Sequence, residues 1–288
     1  MNEQIAMRVS KVSIIVNVLL SAGKLLAGIV GHSSAMVSDA IHSASDVFST
    51  VIVIIGVKIS GRASDHDHQY GHERMECVAA MILAMVLALT GLSIGKSGIT
   101  TILDHSYTNL QMPSKIALFA ALASIITKEG MYWYTIINAK KINSSALKAD
   151  AWHHRSDALS SIGAFLGILA SRMGYPIFDP VASLVICLCI LKASYDIFKD
   201  AVDKMVDKAC DDKTIENMIH VINQEKGVKR VDLVKTRLFG SKIYVDVEIA
   251  ADGNILLKDA HNIAENVHHS IENNFKDVKH CHVHVNPY

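Results

Sequence analysis

Four stretches of this chain, residues 12–31, 77–95, 116–139 and 180–198, are apolar over about the 20 residues that a helix needs to cross a bilayer. The composition agrees. Half of the 288 residues are hydrophobic and only 19% are charged, which is the balance of a membrane protein. Two further apolar runs, 47–57 and 158–171, are too short alone. They become full spans when extended backwards through 35–46 and 146–157. Six spans keep both termini on one side; five would separate them. Lys24, Lys128, Glu129 and Lys192 interrupt the four long runs, and Lys192 can snorkel to the interface from near a helix end. Asp179-Pro180 reads as an N-cap followed by proline in the first helical position.

The two backward extensions carry a repeat. Asp39-Ala40-x-His42-x-x-Ser45-Asp46 recurs as Asp150-Ala151-x-His153-x-x-Ser156-Asp157, 111 residues later. Residues four apart share one face of a helix, so His42 stacks with Asp46, and His153 with Asp157. Asp39 and Asp150 lie on the same broad stripe but about 10 Å along the axis from the later aspartate, which is too far for one ion to touch all three. A carboxylate near the bilayer centre costs roughly 2.5–3.5 kcal/mol on insertion scales. Such residues demand a partner and mark a function. Two imidazoles and two carboxylates form the tetrahedral nitrogen–oxygen set that suits Zn²⁺. Magnesium and calcium favour all-oxygen shells, and copper(I) favours sulfur.

Fifteen histidines gather in further clusters. In Asp65-His66-Asp67-His68-Gln69-Tyr70-Gly71-His72, the Asp65, His68 and His72 side chains fit a loop-to-helix metal site. His280, His282 and His284 alternate along a strand, so all three are expected on one face, within reach of Asp246 and His261. The other classes find less support. Lys plus Arg equals Asp plus Glu at 28 each, so no basic excess points to nucleic acid. Cys77, Cys187, Cys189, Cys210 and Cys281 show no CxxC spacing, which speaks against a disulfide framework or a cysteine-rich zinc finger. No HExxH or repeated histidine box is present, so the chain does not read as an enzyme. The polar start reads as the approach to a span rather than a signal peptide.

Basic residues fall on one side. Arg8, Lys11, Lys58, Arg62, Arg74, Lys140, Lys141, Lys148, Lys199, Lys204 and Lys208 flank the spans there, whereas the opposite loops hold Lys115 and Arg172. This bias puts both termini in the cytoplasm of a multi-pass protein of the cytoplasmic (inner) membrane. After residue 207 the pattern changes. An amphipathic helix, two alternating strands around Gly240-Ser241, a second helix and a last strand spell αββαβ. The expected architecture is an all-α six-helix transmembrane domain over 1–207 and a cytoplasmic α+β, ferredoxin-like domain over 208–288.

Taken together, the six spans, "SDAIHSASD", "HQYGHERMEC", "KADAWHHRSDALSS", "FDP" and the terminal αββαβ unit ending in "HVNP" resemble the cation diffusion facilitator family over essentially the whole chain. The resemblance implies a homodimeric exporter of divalent transition metal, driven by inward protons. It implies a transport site of His42, Asp46, His153 and Asp157, and a loop site of Asp65, His68 and His72. It implies a metal site in the C-terminal domain, but the sequence departs from the binuclear pattern of some relatives at Val231, Glu248 and Asn286. A simpler set of Asp246, His261 and His282 or His284 is the expectation there. Arg74 and Asp207 match a basic–acidic pair that in relatives joins the third and sixth helices. Histidine at the head of both HxxxD pairs resembles zinc-selective members, so Zn²⁺ is the expected substrate and regulatory ligand. Export of Fe²⁺, Mn²⁺, Co²⁺, Ni²⁺ or Cd²⁺, or metal sensing without transport, is the alternative.

Overall fold

The computed structural model describes residues 2–30, 34–104, 115–172 and 177–288. It divides into two units, Met1–Ala201 and Val202–Tyr288, and the division falls in the last turns of the sixth helix.

The first unit is helical. Its helices are α1 (Asn2–Val30), α2 (Ser34–Ser60), α3 (Met75–Leu103), α4 (Lys115–Lys141), α5 (Ser145–Arg172) and α6 (Phe178–Met205). Each has 27 to 29 residues, or about 40 Å of helix, more than the hydrocarbon core requires. α2 and α5 run back through both repeated motifs, as the short apolar runs require. α6 begins at Phe178, so Asp179 and Pro180 lie in its first turn rather than before it. Among the described residues, Gln4–Leu26 and Met75–Leu103 are apolar and long enough to cross a membrane by composition alone. α2 and α5 spend part of their length on polar motifs.

Side chains are distributed inside out relative to a soluble bundle. Ile15, Leu19, Leu26, Leu89, Leu92, Ile126 and Leu188 are exposed. Ser10, Ser13, Asn17, Thr50, Ser124, Lys128, Thr135, Asp150, His154 and Ser156 are buried. An apolar exterior around an interior that also holds polar and charged groups fits lipid as solvent. The helices approach closely through small residues, with Ala79, Ala84, Ala139, Ala146 and Ala149 in the common core beside Val53, Leu83 and Leu147. Glycine is needed at two crossings. A Cβ on Gly56 would collide with Ala79, and one on Gly91 would lie 2.9 Å from Ile190 Cγ2.

The second unit comprises α7 (Asp212–Asn223), β1 (Arg230–Phe239), β2 (Lys242–Ala251), α8 (Leu257–Asn274) and β3 (Val278–Pro287). Asp211 caps α7, its carboxylate accepting the Thr214 backbone N–H at 3.0 Å. Gly240, at φ 64°, closes the β1–β2 hairpin. The sheet order is β1-β2-β3, with β1 antiparallel and β3 parallel to β2. α8 supplies the connection that a parallel pair requires. Met218 and Ile222 of α7, with Val267 and Ile271 of α8, are spaced i, i+4 and pack on Val245, Val247 and Ile249. Both helices thus share one sheet face. Asp246 of β2 and His282 and His284 of β3 are exposed.

Candidate metal centre

Asp46 lies near the midpoint of α2, and Asp157 near that of α5, one helical turn after His153. All three are buried, and one ligand atom of each falls within 4.8 Å of the others. His153 Nε2 is 3.5 Å from Asp46 Oδ1 and makes no hydrogen bond among the described residues. Two carboxylates and an imidazole nitrogen from two helices therefore converge near the helix midpoints. The side chain of His42, the fourth expected ligand, lies outside the described residues, as does that of Asp39; the α2 helix places His42 one turn before Asp46.

The centre contains a residue that the sequence did not assign to it. Lys128, near the midpoint of α4, is 1% exposed and donates from Nζ both to Asp46 Oδ2 and, at 2.9 Å, to Asp157 Oδ2. Its ammonium lies between the two carboxylates that would hold a metal. A buried lysine must be paired, and this one is paired twice. The signal was a charge in the middle of an apolar run. Its neighbour Glu129 also has a partner, since its Oε1 lies 3.6 Å from Arg155 Nη2, and the Arg155 guanidinium covers the Tyr132 ring at 4.3 Å. Lys192 is different. It is exposed and pairs with Asp196 at 3.2 Å on its own helix.

Asp150, the earlier aspartate of the second motif, belongs to a separate network. It accepts from Thr50 Oγ1 at 3.3 Å and lies 3.6 Å from His154 Nε2, which is 3.3 Å from Ser13 Oγ. All four groups are buried. They tie α5 to α1 and α2, and they separate Asp150 from the centre, as the spacing along the helix anticipates.

Asp65, His68 and His72 come together between α2 and α3. Asp65 Oδ1 accepts the His68 backbone N–H at 2.7 Å and lies 3.2 Å from His68 Nδ1; its Oδ2 is 3.4 Å from His72 Nε2. The His68 backbone N–H, followed by the His68 side chain, holds the Asp65 carboxyl below its ordinary range. His66 pairs with Asp67 outside the trio. Arg74 is the N-cap residue of α3, and Asp207 follows α6 with φ 61°.

The C-terminal set Asp246, His261, His282 and His284 does not gather into one cluster among the described residues. Asp246 is the register partner of His282, and Glu248 of His284, but His261 stands on α8, the helix that covers the opposite sheet face. It points to Glu265, 3.9 Å away, with two thirds of its side chain exposed. Asn286 donates to Asp232 at 3.1 Å and to Glu248 at 3.5 Å. His268, Glu272 and His280 form the cluster instead. The alternation of histidines along β3 could not reveal it, because two of its three members are on α8.

The chain matches the cation efflux transmembrane domain over residues 10–206 and the cytoplasmic domain of cation efflux proteins over residues 210–288. It belongs to the cation diffusion facilitator family. Family membership makes it a membrane protein with a cytoplasmic C-terminal domain. The manganese efflux system protein MneP of Bacillus subtilis is 34% identical over 293 residues, covering 99% of this chain and 97% of that one. The uncharacterized transporter MJ0449 of Methanocaldococcus jannaschii is 35% identical, covering 95% of each chain. The solved C-terminal domain of MamM aligns with 26% of this chain and 98% of its own length, at a TM-score of 0.26 and 23% identity.

Proposed function

We propose that this facilitator exports a divalent transition metal from the cytoplasm, with Zn²⁺ the preferred ion and protons moving inward in exchange. The convergence of Asp46, His153 and Asp157 on one buried point carries this reading. His42, one turn before Asp46, completes a set of two nitrogens and two oxygens, which is a zinc set. Manganese is the second reading. It is favoured by the similarity to the manganese efflux protein MneP and tolerated by the two carboxylates.

Lys128 shapes the mechanism. Its ammonium takes the place of a cation between Asp46 and Asp157. An arriving metal must displace it, and a departing metal hands the carboxylates back to it. The buried site therefore holds a positive charge at every stage, which avoids the cost of bare carboxylates in hydrocarbon. Protons act at the imidazoles, because a histidine binds metal only when neutral, so proton and metal exclude each other. The six helices cross the membrane with both termini cytoplasmic. Asp65, His68 and His72 collect metal on the cytoplasmic side, and the C-terminal domain dimerises. In that domain Asp246, His282 and His284 offer a secondary metal surface.

The test is flux in proteoliposomes under a pH gradient with Zn²⁺, Cd²⁺, Mn²⁺, Fe²⁺, Co²⁺ and Ni²⁺, comparing the natural chain with Asp157→Ala. Zinc flux that requires the gradient and disappears in the variant is the expected result. Manganese flux above zinc moves the preference to the second reading. If the folded, metal-binding protein moves no ion, transport is excluded and a sensing role takes its place.

A further inference from the structure

β3 is the last strand of its sheet, so one edge has no strand partner. At Cys281 that edge is held by two side chains of α8. The Cys281 backbone N–H donates to Glu272 Oε1 at 3.2 Å, and its carbonyl accepts from His268 Nδ1 at 2.6 Å. A carbonyl can only accept, so Nδ1 carries a hydrogen, and in the neutral ring Nε2 keeps its lone pair. Yet Nε2 lies 3.3 Å from Glu272 Oε1, an acceptor. Two acceptors facing each other at this distance need a positive charge between them. His280 Nδ1 approaches the same oxygen at 3.5 Å from β3.

We propose that His268, Glu272 and His280 form a divalent-metal site of the zinc class that clamps α8 to the free edge of β3. The geometry favours a metal over a bare proton for three reasons. Separations of 3.3 and 3.5 Å match the edge of a tetrahedron with metal–ligand bonds of about 2.0–2.1 Å, which is about 3.3 Å. A histidine whose second nitrogen donates to a backbone carbonyl is oriented as metal-binding histidines usually are. His280, which takes no part in holding the Cys281 backbone, still converges on the shared oxygen. Cys281 is not the fourth ligand. Its side chain is buried in the core with Val245, Val267 and Ile271. The side chains of His280 and Glu272 are 55% and 30% exposed, so an ion can reach the site from water. The site is distinct from the Asp246, His282 and His284 surface and does not depend on transport.

The experiment uses full-length protein in detergent, with Asp46→Ala and Asp157→Ala removing the buried centre. Zinc is added by equilibrium dialysis, bound metal is counted, and hydrogen exchange is followed at the Cys281 amide. His268→Ala, Glu272→Gln and His280→Ala should each remove one bound zinc per chain. Zinc should slow Cys281 exchange at least tenfold in the parent and leave it unchanged in His280→Ala. Unaltered zinc stoichiometry and affinity in His280→Ala would overturn the proposal. The charge on His268 Nε2 is then a proton, and the trio is an ion pair capping a strand edge.

Discussion

The helical unit and the C-terminal unit differ in what they bury beside hydrocarbon. In the first, Asp46, Asp150, Asp157, His153, His154 and Lys128 are inside with Leu83, Leu87 and Leu147, and other leucines and isoleucines are outside. In the second, valines and isoleucines fill the core, and His261, His269, His280, His282 and His284 lie at the surface. The contrast shows how location sets the behaviour of similar ligands. Asp46, His153 and Asp157 are withdrawn from water and enclose a built-in cation, so the proposed metal binding there is an exchange. Asp65 and His68, like Glu272 and His280, remain partly hydrated, so metal can equilibrate with them without displacing a protein charge.

Four measurements break or sharpen this contrast. The largest effect is expected from Asp46→Asn or Asp157→Asn, each of which should reduce metal flux to that of empty vesicles, while His268→Ala retains it. Equal loss from both units would erase the distinction. Next is Lys128→Met. It leaves two buried carboxylates without their cation and should destabilise the metal-free protein by about 3–5 kcal/mol. Added zinc should restore most of that, so the zinc-induced rise in Tm should exceed that of the natural chain. An unchanged metal-free Tm would show that Lys128 does not neutralise the pair. A smaller change is expected in the loop, where His72→Ala should raise KM for metal several-fold and leave kcat unaltered. A fall in kcat instead would place His72 in the translocation step. The smallest concerns pH. The Asp65 carboxyl is held below its ordinary range, so its bond to the His68 N–H contributes fully above the unfolded value near 3.9 and is lost as pH falls through the lower folded value. The Asp65 side-chain carboxyl carbon resonance should titrate with a midpoint below that of an ordinary aspartate; a midpoint at or above it would show that the His68 N–H does not hold the carboxylate.

Much of this architecture was legible in the sequence, because hydropathy is a one-dimensional signal. The six long helices, the αββαβ order and the inclusion of both motifs in long helices follow from it. Paired residues on one helix were legible too, since i, i+4 spacing is local. The partner of the pairs was not. Lys128 is 82 residues from Asp46 and 29 from Asp157, and nothing local states which face of α4 meets α2 and α5. The rule that a charge at membrane depth needs a partner applied to it as fully as to the aspartates, whereas Lys192 is exposed and pairs with Asp196 on its own helix. The C-terminal cluster was hidden for a related reason. His268 and Glu272 are an ordinary i, i+4 pair until β3 brings His280 beside them.

The Lys128 ammonium also has an electrical consequence. With both aspartates ionised and the histidines neutral, the metal-free centre carries one net negative charge. With a divalent ion bound and the lysine still within the bundle, it carries one net positive charge. Without the lysine the same states would be doubly negative and neutral. A full crossing of the membrane field is worth about 2.3 kcal/mol per charge per 100 mV. In the proposed transport cycle the lysine therefore divides the work of the membrane potential between the loaded and the returning carrier, where a bare pair of aspartates would place all of it on the return.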